Sequence, residues 1–235
     1  MGSFIAASVY RMENKKSILR GRSECEKCGA KLGARDLVPV FSYLFLRGKC
    51  GKCGKKIGVE LFFMEIICGF LFAAAFFLHH SLVLLLVRDW IFLSALAFLF
   101  LYDKKYGFLP DAVSIPSIII VFSLNAAAGN DAWNLGLAIL AAGGFFLAQY
   151  LVSRGSWVGD GDIRMGALLG AGLGWPGVVA AIFIAYILGA IYSIFLLITK
   201  KKQMRSRIAF GTFLAVGGAI TLFWGDVIIK WYLGL

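Results

Sequence analysis

Six stretches of this chain, 59–78, 81–102, 112–129, 133–152, 177–199 and 208–229, are almost wholly apolar, and each is close to the ~20 residues a helix needs to cross the hydrocarbon of a bilayer. Helices that are apolar all round cannot form the half-wet surface of a water-soluble domain. Hydrophobic residues make up 60% of the 235 and charged residues only 16%, against roughly 45–50% and 25% in soluble domains, so lipid is the solvent for most of the chain. Backbone polar groups in lipid must be satisfied internally, which leaves helices or closed barrels. Continuous runs of this length select helices. Two shorter apolar pieces accompany them: residues 2–10 read as the end of a helix whose beginning is absent, and the glycine-rich 163–174 as a half-length helix. The expected fold is an all-α polytopic membrane protein, a bundle of about 7–8 transmembrane helices whose first is short or truncated. No signal peptide is expected, since no basic region precedes the first apolar stretch and no small-residue cleavage site follows it.

Charge sets the expected orientation. Of the 24 Lys and Arg, 13 lie between Arg11 and Lys56 against four acids, Glu13, Glu24, Glu26 and Asp36, and five more lie in 200–207. Basic loops stay on the cytoplasmic side. Counting spans from there places the 103–111 and 153–162 connections inside as well, and His79-His80, 129–132 and the C-terminus outside. The net charge of +11 is accounted for by this topology and by attraction to anionic lipid. The basic stretches have no aromatic interleaving, so nucleic acid is not an expected partner. The expected organisation is 1–10 as the end of a first transmembrane helix, 11–57 as a cytoplasmic loop domain and 58–235 as the transmembrane domain.

The loop carries Cys25-Glu26-Lys27-Cys28 and Cys50-Gly51-Lys52-Cys53, two knuckles with 21 residues between them. Each knuckle can present two sulfurs to one tetrahedral ion, and a glycine follows each where the chain must reverse, so Cys25, Cys28, Cys50 and Cys53 are expected to bind a structural Zn2+. The competing reading is two disulfides. A reducing cytoplasm and the surrounding lysines, which favour thiolates, argue against it. A loop of this size buries little core of its own, so the metal is expected to fold it. Cys68 lies mid-span and reads as packing.

Two acids stand where apolar segments meet water, in Tyr102-Asp103-Lys104-Lys105-Tyr106-Gly107-Phe108-Leu109-Pro110-Asp111 and in Gly159-Asp160-Gly161-Asp162-Ile163-Arg164. An ionised side chain near hydrocarbon costs several kcal/mol, which makes such acids functional candidates. Two carboxylates sharing a proton can hydrolyse a peptide bond with water and nothing else. Gly159 and Gly161 allow close approach of a neighbouring segment. The plainer alternative makes Asp162 a helix N-cap, Asp160 a turn residue and Asp103 a juxtamembrane charge paired to Lys104 or Lys105.

Six strings and a lone glutamate, taken in order, resemble the bacterial type IV prepilin peptidases, bifunctional leader peptidases and N-methyltransferases of the Gly-x-Gly-Asp class of intramembrane aspartyl proteases. They are Gly2-Ser3-Phe4 with Arg11; Arg22-Ser23-x-Cys25-x-x-Cys28-Gly29; Pro39 through Cys50; Glu65; Asp103 with Leu109-Pro110-Asp111; Gly159 through Arg164; and, closing the series, Phe210-Gly211-x-Phe213-Leu214-Ala215. The resemblance implies that Asp103 and Asp162 are the catalytic pair. It implies substrates too, type IV prepilins and pseudopilins cut after a glycine at the cytoplasmic face of the inner membrane, then methylated at the new amino terminus from S-adenosylmethionine. The zinc loop resembles the region that accompanies methylation. The chain departs from the family pattern at Phe4-Ile5-Ala6 and at Glu60-Leu61-Phe62, both in the part tied to methylation and the first span. Two other readings compete. A presenilin-like or signal-peptide-peptidase-like protease would use the same aspartates, but its Pro-Ala-Leu string is absent and it lacks the cysteine loop. A zinc-ribbon membrane scaffold would use the aspartates only as caps.

Other polar residues carry plainer expectations. Glu65 is either a buried acid bonded to a neighbour or a group that steers methylation or the substrate amine. Pro110 and Asp111 restart a helix, Asp160 stabilises its turn, and Lys104, Lys105 and Arg164 flank the carboxylates. Arg88-Asp89 reads as a self-paired couple in the outer part of its span, and His79-His80 as outer surface. The glycines of 163–174 suggest either close helix packing or a loosely packed lateral gate.

Overall fold

The computed structural model describes residues 2–17, 23–33, 36, 38–199 and 209–234; Arg22 and the basic segment 200–207 lie outside the described residues. The described residues form helices α1 (Gly2–Glu13), α2 (Phe41–Phe45), α3 (Val59–His79), α4 (Val83–Tyr106), α5 (Asp111–Ala127), α6 (Ala132–Ser153), α7 (Asp160–Ile198) and α8 (Phe210–Leu233). Among them the only β pairing is two isolated bridges. The fold is all-α, and five helices, α3, α4, α6, α7 and α8, are long and apolar enough to cross a membrane, with α5 shorter. The chain divides into two compact units, Met1–Ala74 and Ala75–Leu235.

In the second unit, α6 packs along α7, α7 along α8, and α4 against α5 and α8. Small residues set the spacing. A Cβ on Gly170 would lie 2.6 Å from the backbone of Ala138, and one on Gly217 would lie 2.4 Å from the Ala181 carbonyl, so these helices meet backbone to backbone. The piece 163–174 is tightly packed, not loose: Met165, Leu168, Leu169 and Ala171 are fully buried. That removes the sequence argument for a slack lateral gate.

Helix ends follow local chemistry. α4 stops at Gly107, whose φ of 74° lets its N–H close on the Asp103 carbonyl at 2.8 Å, the left-handed stop that glycine tolerates best. α5 restarts behind Pro110, as its fixed φ favours. The Asp131 side chain caps α6 by accepting from Trp133 N–H at 2.9 Å.

The half-length helix expected at 163–174 is the first half of α7, which breaks at Gly174 (φ 63°) and Trp175 (ψ 135°) ahead of Pro176. A break at membrane depth leaves orphan carbonyls, and these need partners. The carbonyl of Gly172 faces the position of Pro176, which has no N–H. That of Ala171 loses Trp175 N–H, which donates to Asn134 Oδ1 at 2.7 Å. Side chains fill both gaps: Arg88 Nη1 donates to Gly172 O at 3.1 Å, and Asn125 Nδ2 donates to Ala171 O at 2.9 Å and to Gly172 O at 3.2 Å. Arg88 also donates to Asn125 Oδ1 at 3.1 Å. Its pairing with Asp89, 2.6 Å from Nη2, is as the sequence suggests. The couple is part of a larger network, however, because Asp89 Oδ2 also lies 2.6 Å from His79 Nδ1. His79 is therefore a partner of a buried carboxylate and not simply outer surface.

Candidate functional site

Asp103 occupies the last turn of α4 and Asp162 the first turn of α7. Both are buried, at 6% and 7% exposure, which is unusual for carboxylates with no cationic partner among the described residues. Their partners are backbone N–H groups at helix starts. Asp103 Oδ2 accepts from Thr212 N–H at 3.0 Å, in the first turn of α8, where donors have no partner inside the helix and the helix dipole favours an anion. A Cβ on Gly211 would lie 2.8 Å from that same oxygen, so only glycine lets α8 approach so closely. Asp162 Oδ2 accepts from Gly159 N–H at 2.9 Å. Asp162 is thus the third residue of its helix, reaching back to the cap position held by Gly159, and not itself the N-cap.

Leu109 lies between the two strings. A Cβ on Gly161 would sit 2.8 Å from Leu109 Cβ, and one on Gly211 would sit 3.3 Å from Leu109 Cδ1. Arg164 ties the strings together, donating to Leu109 O at 3.2 Å and pairing with Asp160 at 2.7 Å and with Asp111. It serves the flanking acids, while the two central carboxylates lie on either side of Leu109, which packs on Gly161 beside Asp162 and on Gly211 beside Asp103. Tyr186 on α7, whose hydroxyl donates to Gln149 Oε1 at 2.9 Å, also feels the charge of Asp162. The structure therefore brings Asp103 and Asp162 together at one end of the second unit. Chemically the arrangement is two buried carboxylates, each bonded to a backbone donor and ringed by glycines.

The first unit brings the four cysteines together. The ligand atoms of Cys25, Cys28, Cys50 and Cys53 all lie within 4.8 Å of one another, which accommodates the roughly 3.8 Å between sulfurs around a tetrahedral Zn2+ with bonds of about 2.3 Å. The two knuckles are built alike. Gly29 N–H donates to Cys25 O and Gly54 N–H to Cys50 O, both at 2.9 Å, with φ of 68° at both glycines and flanking bridges Glu24–Lys31 and Lys49–Lys56. Backbone N–H groups of Cys53 and Lys52 draw the Cys50 thiol down to about 7, towards the thiolate a metal takes. All four are free thiols, as is the buried Cys68. The set can hold a metal ion. Glu65 accepts from Val40 N–H at 2.7 Å and so anchors the turn that leads into α2.

Sequence reasoning missed Thr212 and Asn125, as well as the wider partners of Arg88 and His79. Phe210-Gly211-x-Phe213 was the signal for the first, since a glycine opening a helix marks a place where something approaches.

Comparison with known proteins supplies the frame. The family model described as Bacterial Peptidase A24 N-terminal domain matches residues 1–79, and that described as Type IV leader peptidase family matches 90–194. The chain is 30% identical to the prepilin leader peptidase/N-methyltransferase of Bacillus subtilis (strain 168), over 99% of this chain and 94% of that protein. It is 32% identical to the protein of the same name from Legionella pneumophila, over 94% and 78%, and 33% identical to that of Burkholderia pseudomallei (strain K96243), over 87% and 67%. No solved structure matches the chain.

Proposed function

Because the chain belongs to the type IV leader peptidase family, we propose that it removes the basic leader of type IV prepilins and pseudopilins after a glycine, at the cytoplasmic face of the inner membrane, with Asp103 and Asp162 as its catalytic pair. The observation that carries this reading is the meeting of two buried carboxylates, from strings 59 positions apart, on either side of Leu109.

One carboxylate, ionised, takes a proton from water as the oxygen attacks the scissile carbonyl carbon. Its protonated partner gives a proton to the carbonyl oxygen. The resulting diol collapses as one of its hydroxyls returns a proton to that partner, the C–N bond breaks, and the proton first taken from water passes to the leaving amine. Two like charges this close cannot both ionise readily, so the pair holds the single shared proton this cycle needs. The backbone donors keep each carboxylate aimed without neutralising it, and Leu109, wedged between Gly161 and Gly211, sets the gap.

The proposal extends to N-methylation of the new amino terminus, with S-adenosylmethionine supplying the methyl group. The cysteine loop 11–57 accompanies that step, held by Zn2+ on Cys25, Cys28, Cys50 and Cys53, and 58–235 forms the protease domain. The test is co-expression with a candidate prepilin, following leader loss by gel mobility and the amino terminus by mass. Retention of the leader with wild-type enzyme present rejects the reading, and a mature terminus without a methyl group rejects its second half.

Gly211→Ala should separate geometry from folding. Its methyl group would meet Asp103 Oδ2 at 2.8 Å and Cγ at 3.2 Å, displacing the carboxylate. Misplacement of about an ångström costs on the order of 100-fold in rate, so leader removal should fall by about that much. Membrane yield and melting temperature should stay close to wild type. Unchanged cleavage would show that α8 does not seat Asp103.

A further inference from the structure

We propose that Arg88 is a positioning residue: by holding the open end of the first half of α7 against α4, it fixes the register of these two helices and with it the spacing of Asp103 and Asp162 at their other ends. The inference rests on the reading of the aspartates as the catalytic pair.

α4 and the first half of α7 run antiparallel and touch directly at only a few rungs, with α8 filling in between them. Arg88 bonds the Gly172 carbonyl. A Cβ on Gly172 would collide with the ring of Phe92 at 2.6 Å, and Leu96 and Leu169 both close on Gly218. At the far ends of the two helices Leu109 packs on Gly161 and Gly211, beside Asp162 and Asp103. Apolar rungs alone specify register weakly in a membrane, because lipid tails are as good a neighbour as leucine. Arg88 specifies it strongly. Its guanidinium reaches the carbonyl that the break at Gly174 leaves without a donor, and Asn125 takes the neighbouring one. Asp89 balances the charge. A slip by one helical turn would part Arg88 from Gly172 and shift Asp162 by about 5.4 Å along Asp103's helix, well beyond the reach of a shared water.

An arginine that only stabilised the fold would change the amount of folded protein and leave each folded molecule fully active. A positioning residue changes the rate per folded molecule. Arg88→Lys keeps the charge but loses the planar fork whose Nη1 donates to Gly172 O and Asn125 Oδ1 while Nη2 faces Asp89. The expected result in membranes is a fall in kcat for leader removal of about 10- to 100-fold with KM within about twofold, the signature of lost transition-state placement. Asn125→Leu, which frees the Ala171 carbonyl and removes one acceptor from Arg88 while keeping its bond to Gly172 O, should move kcat in the same direction. A second readout needs no catalysis: Asp103→Cys with Asp162→Cys should form a disulfide, identified by peptide mass, and adding Arg88→Lys should cut its yield severalfold.

Wild-type kcat and disulfide yield in Arg88→Lys would overturn the proposal, as would an activity loss that merely tracks the loss of folded protein in both Arg88→Lys and Asn125→Leu. Should the disulfide depend on Arg88 while Asp103→Asn still cleaves, the register role stands and the catalytic assignment falls.

Discussion

Asp103→Asn and Asp162→Asn are each expected to abolish leader removal, lowering the rate by at least about 10^3-fold, while the protein still folds. Both halves of that expectation come from the same hydrogen bonds. The Thr212 N–H that Asp103 accepts and the Gly159 N–H that Asp162 accepts can be accepted equally well by an amide oxygen, so the helix starts of α8 and α7 keep their partners. The amide cannot take a proton from water or hold the one the pair shares. Because the two groups act as a unit, the double variant should be no slower than either single one. Rates measured in membranes against a prepilin, with melting temperature as the control for folding, check this. A scaffold whose aspartates are only caps predicts cleavage-independent behaviour and tolerance of both changes. Normal processing in either single variant would sink the paired-carboxylate mechanism.

Much of the architecture was legible because its cause is one-dimensional. Continuous apolar runs place α3, α4 and α6 within a few residues, and Gly174-Trp175-Pro176 spells a helix break in adjacent letters. The cysteine knuckles were legible for the same reason, since each is a local reversal of the chain. What stayed hidden was three-dimensional. Membrane helices are apolar on every side, so periodicity does not reveal which face meets protein and which meets lipid. Nothing local to Arg88 points to Asn125, 37 positions on, or to Gly172, 84 positions on. Asp103 and Thr212 are 109 positions apart, and the flanking lysines were the obvious but wrong partners for that carboxylate's hydrogen bond. Glu65 shows the same limit, since the loop N–H it accepts is 25 residues away in a segment with no hydropathy signal.

Losing the metal should affect the two units very differently. The knuckles are short turns, and Cys50 is the only described residue of 11–57 among the buried apolar side chains, so the four sulfurs are the main hold on that loop. In small structural sites of this kind the metal supplies about 10–16 kcal/mol of apparent folding free energy. Purified protein should therefore carry one zinc per chain by elemental analysis, and Cys25→Ser or Cys53→Ser should lose it. Limited proteolysis should then cut within 23–57, where wild type resists. The aspartate pair accepts its hydrogen bonds from the starts of α7 and α8, within the second unit. Leader removal in these variants should consequently persist within a few-fold of wild type, while methylation of the mature terminus is lost. Loss of both activities together, with the Ala75–Leu235 unit still folded, would mean that the cysteine loop takes part in cleavage itself and that the two chemistries do not divide along the chain in this way.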